Sequence, residues 1–198
     1  ALSALEACPQ MKNFLLIATL VLAIFLRSYH YLDRTTYGWD QARDIQVLET
    51  ATTTNQLPLL GPIVRGATGG FYLGPIYHYL LLPLYSVTKH TPLVLVWLSI
   101  FLDVVVVLGL TLGVNPSAGL IWAISSMLIN SSLTPWNVSL IHPWVLAVLL
   151  LQTQLTHPRR VFLFLLILAT ATSIHLTLLP LAGIFFFIIQ PHRFCYHL

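Results

Sequence analysis

Asp40 and Asp44 stand four residues apart, with Arg43 three residues after Asp40. On a helix this spacing gathers both carboxylates on one face and lets the guanidinium neighbour Asp40. Two like charges at that spacing cost an isolated helix a few tenths of a kcal/mol, so something should compensate them: Arg43, Arg65, a metal ion or a substrate. A carboxylate partly withdrawn from water can serve as a general base toward a hydroxyl or amine. An arginine beside it can hold a phosphate through paired, charge-assisted hydrogen bonds. The same spacing also fits a solvated polar loop carrying ordinary helix charges.

The elements around these residues are apolar. Hydrophobic residues make up 57% of the 198, charged ones 8%, and the formal net charge is +3; the mean hydropathy is +0.84. Soluble domains carry roughly a quarter charged residues, so most of this surface must face lipid. The small, dispersed positive charge leaves no nucleic-acid footprint. Cys8 and Cys195, near opposite ends, form neither a metal-binding spacing nor a disulfide framework.

The pattern predicts an all-α fold, a polytopic transmembrane helix bundle of about six membrane segments with an outer first loop bearing juxtamembrane helices. Residues 1–198 read as a single module, with residues 1–11 a leader outside the fold. Met11-Lys12 reads as a natural start, and the abrupt end after an apolar run suggests a chain cut short. The first apolar run, 13–29, is followed by Arg27, Tyr29, His30 and Tyr31 rather than a small-residue cleavage site, so it reads as an uncleaved helix. Residues 30–91 form the outer loop. Within it 39–54, free of Pro and Gly, predicts a surface helix with an apolar stripe at 39, 42, 45 and 48. The run 71–86 is aromatic and broken by Pro75 and Pro83, too short for a span, and reads as interfacial or re-entrant. Further membrane segments are expected at 92–113, 117–133 and 144–156, with a polar knot at 134–143. The run 161–190 is interrupted near Ser173-Ile174-His175. Placing Lys12, Arg159, Arg160 and Arg193 in the cytoplasm favours a non-spanning 71–86 and puts the loop and knot on the outer face. Asp103, inside an apolar helix, must face the bundle interior; a structural pairing is expected, with a proton relay as the alternative.

The order Tyr37-Gly-Trp-Asp-Gln-Ala-Arg-Asp44, then Pro58-Leu-Leu-Gly61, then Gly70-Phe-Tyr-Leu-Gly-Pro-Ile-Tyr-His-Tyr79 resembles the first outer loop of the GT-C superfamily of membrane glycosyltransferases. The similarity is to the protein mannosyltransferase and aminoarabinose transferase branch, glycosyltransferase family 39-like, and runs from about residue 12 to 193. The resemblance implies a polyprenyl-phosphate-linked sugar donor, a protein, lipid or glycan acceptor, and inverting transfer on the outer face; the compact loops point to a plasma membrane of prokaryotic type. It places the catalytic base on Asp40 and the motif arginine on Arg43. Asp44, Arg65, His78, His142 and His175 are the further substrate-binding candidates, with Lys89 beside Arg65 as a phosphate partner. The sequence departs from the family pattern at three points. Gln41 stands where many members carry glutamate, Leu73 where some carry an acid, and His142 where a second acid falls in the next outer loop. A divalent metal ion is a candidate cofactor, with Asp40 and His142 as its only ligand candidates, fewer than a site needs. From another class, a transporter or lipid-carrier flippase is the alternative, although the charges gather in one loop instead of mid-membrane. A non-catalytic membrane subunit or an inactive truncated product is the third reading.

Overall fold

The computed structural model describes residues 9–66, 69–152 and 158–176, and the chain is mostly helical. Helix α1 (Pro9–Ser28) leads through one turn, α2 (Tyr31–Arg34), to α3 (Trp39–Thr54). Strands β1 (Ile63–Gly66) and β2 (Gly69–Tyr72) precede α4 (Ile76–Val87) and the long α5 (Val94–Gly113). Then come α6 (Pro116–Ile124), α7 (Ser126–Leu133), a 3-10 turn (Asn137–Leu140), α8 (Ile141–Gln152) and α9 (Pro158–Ile174).

Among the described residues two helices are long and apolar enough to cross a membrane: α1 over Gln10–Ser28 and α5 over its 20 residues. At 1.5 Å per residue each comes to about 30 Å, the thickness of a bilayer's hydrocarbon core. Helix α1 divides into two faces. Phe14, Ile17, Val21, Ile24 and Phe25, at helical spacing, are exposed, whereas Thr19, Ala23 and Arg27, each four apart, are buried. So large an exposed apolar stripe suits lipid better than water.

The buried face of α1 lies against α5, and the two run antiparallel. Ala23 packs with Val107, Arg27 pairs with Asp103, and Trp97 Nε1 donates to the Tyr31 hydroxyl at 3.4 Å. As the residue number climbs on one helix it falls on the other. Helix α5 meets α8 through Gly109 and Gly113, four residues apart. A β-carbon there would fall 2.4 Å from Leu146 and 2.6 Å from Leu150, so the missing side chains set how closely the helices approach.

Residues 117–133, expected as one span, are two helices with an extended Ser125 between them. The reason is remote in sequence: Arg27 reaches the C-terminal carbonyls of α6, with Nη1 donating to Ala123 O at 3.0 Å and Nη2 to Trp122 O at 3.3 Å. A cation seated on carbonyls that lack helical partners stabilises that early stop.

The expected all-α fold is interrupted in the outer loop. Residues 63–72 form an antiparallel hairpin with Ile63 opposite Tyr72 and Val64 opposite Phe71. Two backbone bonds, Gly61 N to Leu73 O and Leu73 N to Pro62 O, extend it. Strands of four residues are too short to show a period-two pattern, and Gly61-Pro62 and Gly69-Gly70 read only as turns. Helix α3 has the expected bounds, but its buried face is Gln41, Asp44, Leu48 and Ala51, while Trp39 is 94% exposed. The stripe at 39, 42, 45 and 48 drifts around the helix and misplaces that face. Leu48, Tyr77, Leu81 and Tyr85 form one core with Val94, Leu95, Leu140 and Ile174. This core seats α3 and α4 on the first turn of α5, the 3-10 turn and the end of α9. The interruption expected at 173–175 is the end of α9; 177–198 lie outside the described residues, with Cys195 and Arg193 among them, as does Cys8.

Candidate functional site

Gly38 and Gln41 start α3. The Gly38 N–H donates to Gln41 Oε1 at 2.7 Å, which satisfies a backbone donor that would otherwise be free at the helix start. Gln41 therefore fills the helix-capping role that a glutamate would fill, and is itself buried. Asp40 falls in the first turn, where the helix dipole favours a carboxylate. Tyr37 fixes this start to the entrance of α5, its hydroxyl donating to Pro92 O at 2.9 Å. Burial, then Tyr31 beside it, pushes the Tyr37 phenol up to about 12.

Arg43 joins the two carboxylates. Its Nη1 donates to Asp40 Oδ1 at 2.8 Å; its Nη2 and Nε donate to Asp44 Oδ1 at 3.1 and 3.3 Å. The side chains differ in exposure: Asp40 is 45% exposed, Arg43 30% and Asp44 0%. From α4, His78 reaches the same Asp44 oxygen, Nε2 at 3.3 Å, and is itself buried. Asp44 Oδ2 and His78 Nδ1 are buried without hydrogen-bond partners among the described residues. Tyr77 is buried next to them; burial first, then the Asp44 charge, pushes its phenol well above the usual tyrosine range.

A cleft of about 570 Å³ opens over this cluster, lined by Trp39, Asp40, Ala42, Arg43, Gln46 and Ile63. A second, of about 390 Å³, follows α3 toward Leu57 and Pro58 and shares Arg43 and Gln46 with the first. Asp40 and Arg43 thus border open space, while Asp44 and His78, expected among the substrate-binding residues, lie beneath it. Arg65 lies in β1 opposite Gly70, and its side chain is outside the described part. Lys89 is exposed just past α4. His175, half-buried, follows α9; its neighbour Ser173 packs on Gly74 at the entrance to α4.

His142 belongs to another cluster. Its Nδ1 stands 3.4 Å from Asp103 Oδ1, and its ring meets Trp122 edge-on at 5.3 Å. Trp122 Nε1 donates to the same Asp103 oxygen at 2.8 Å, and Arg27 Nε donates to Asp103 Oδ2. Asp103 is thus paired, as a carboxylate in an apolar helix demands. The sequence signal for its partner was Arg27, a cation at the end of the first apolar run. Asp40 and His142 stand in separate clusters, and Asp40 is already met by a cation. Among the described residues no three His, Cys, Asp or Glu side chains converge on a metal-sized space. This donor set does not fit a divalent ion. Asn137, in the 3-10 turn, is buried with Nδ2 donating to Ile174 O at 2.9 Å.

Compared with protein-family models, curated proteins and solved structures, the chain matches none.

Proposed function

We propose that the chain transfers a sugar from a polyprenyl-phosphate donor to an acceptor hydroxyl or amine, at the outer face of a multi-pass bundle in a plasma membrane of prokaryotic type. The observation that carries this reading is the half-exposed Asp40–Arg43 pair bordering a cleft of about 570 Å³. Its position also supports the reading. Helices α1 and α5 run antiparallel and each is long enough to span, which supports placing the segment that joins them, residues 29–93, on one face of the membrane. Helix α4, at 12 residues, is about 18 Å long and short of a crossing.

In this mechanism Asp40 accepts the proton of the acceptor O–H or N–H. The acceptor lone pair forms the new bond to the anomeric carbon from the face opposite the leaving group. The bond from that carbon to the phosphate oxygen breaks with inversion, and its electron pair departs on polyprenyl phosphate, held by Arg43. Much of the rate comes from orienting two membrane-confined substrates.

The test is transfer of radiolabel from a panel of polyprenyl-phosphate sugars in membranes carrying the full-length open reading frame. Asp40→Asn should fold normally and lose transfer about a hundredfold or more. Near-normal turnover by Asp40→Asn would remove the base. No transfer from any donor would favour the flippase reading.

A further inference from the structure

Arg43 serves two carboxylates that differ in one respect: Asp44 is sealed in the protein and Asp40 faces the cleft. Asp44 holds two donors of the guanidinium, Nη2 and Nε, and Asp40 holds one, Nη1. An arriving anion therefore cannot displace Asp44 without opening the core around Leu48 and Tyr77. It can displace Asp40, whose contact is single and solvent-screened. His78, from α4, meets the same Asp44 oxygen that Arg43 does, so the buried carboxylate ties α3 to α4.

We propose that Arg43 is handed from Asp40 to the donor phosphate: the phosphate takes Nη1, Asp44 with His78 keeps the guanidinium in place, and Asp40 is set free as a base. Asp44 and His78 are positioning residues that touch no substrate. Without donor, Arg43 Nη1 occupies Asp40 Oδ1, and that oxygen is closed to the O–H or N–H of an acceptor. With donor bound, the carboxylate loses its cation beside the anomeric carbon. The base becomes available only when there is a sugar to transfer. This rests on the reading of Arg43 as the phosphate ligand, and makes a demand which that reading alone does not: Asp40 and phosphate compete.

The experiment is equilibrium binding of a short-chain isoprenyl monophosphate to the full-length protein in nanodiscs, with the matching neutral isoprenol as control. Asp40→Asn removes the competitor, so phosphate binding should tighten about threefold, the worth of one half-exposed ion pair. Glu49→Gln removes the same charge from the same helix and should leave binding unchanged; equal tightening there means a bulk charge effect and overturns the hand-over. Asp44→Asn should weaken binding about tenfold by loosening the guanidinium. His78→Gln, the milder change, should weaken it in the same direction and serves if Asp44→Asn fails to fold. Unchanged or weaker binding by Asp40→Asn overturns the proposal, as does unchanged binding by His78→Gln together with Asp44→Asn. Competition observed without sugar transfer from any donor would sustain the hand-over and remove the transferase reading. Equal binding of phosphate and alcohol by wild type would remove both.

Discussion

Replacing Arg27 by leucine should damage this fold more than any exposed substitution can. Arg27 is 0% and Asp103 2% exposed, and no water can take over from either. The variant leaves a buried carboxylate without its cation, which costs about 3–5 kcal/mol. It also strips the donors from Trp122 O and Ala123 O at the end of α6, each worth about 1 kcal/mol. The expected loss is therefore about 5–7 kcal/mol, comparable to the whole stability of many domains. Asp103→Leu should cost at least as much, because a stranded carboxyl can take up a proton and a guanidinium cannot. The double variant removes both charges and should recover about 2–3 kcal/mol relative to the sum of the singles. It should not recover everything, since Trp122 Nε1 loses the acceptor it has at 2.8 Å. Equilibrium unfolding in bicelles, followed by far-ultraviolet dichroism, measures all three. Additive single variants, or a loss below about 1 kcal/mol for Arg27→Leu, would refute the idea that this pair pins α1, α5 and α6 together.

Three further outcomes follow from the loop and its packing. Gly61→Ala sets a β-carbon 2.1 Å from the backbone oxygen of Gly74, so it should cost about 2 kcal/mol and open the hairpin to protease while the bundle's melting stays unchanged. Gly74→Ala meets Ser173 Oγ at 1.8 Å; it should loosen α4 from α9, with partial rescue by Ser173→Ala, in a hydrogen-exchange comparison. Tyr85, buried and donating to Glu49 Oε2 at 2.9 Å, is pushed up to about 12, and Tyr37 reaches about 12 as well. Unfolded tyrosine loses its proton near 10, so between pH 10 and 12 the unfolded chain binds fewer protons and stability falls as pH rises. Absorbance at the tyrosinate band should show these phenols titrating late, with Tyr85→Phe shrinking the alkaline loss; normal titration of all tyrosines would contradict the buried loop core.

What the sequence discloses here is what local spacing dictates. Helix α3 lies over Trp39–Thr54 as read, because no Pro or Gly interrupts the run, and Arg43 joins the carboxylates because helical geometry brings i, i+3 and i+4 together. The buried face of that helix was not legible, since Gln41 and Asp44 are buried for what they bind, not for their hydropathy. Gly109-Leu-Thr-Leu-Gly113 carries the small-residue spacing of a close helix contact, and α8 is the helix that uses it. The stop at Ser125 could not be read from 117–133 at all, because its cause, Arg27, is about a hundred residues away.

The two arginine–aspartate pairs also mark where local reading ends. Arg27 meets one carboxylate and three backbone carbonyls in four hydrogen bonds, leaving little of its five-donor capacity for anything else. Arg43 makes three, all to carboxylates, and lines two clefts. In sequence both are an arginine with an aspartate to pair with. In the fold, saturation and burial lock the first in place, while the second is partly exposed and turns one donor, Nη1, to a carboxylate at the cleft. A cation fixed among carbonyls holds helices together; a cation anchored on one side and open on the other can receive an anion. That difference makes Arg27 a structural cation and is the ground on which we propose a phosphate-binding role for Arg43.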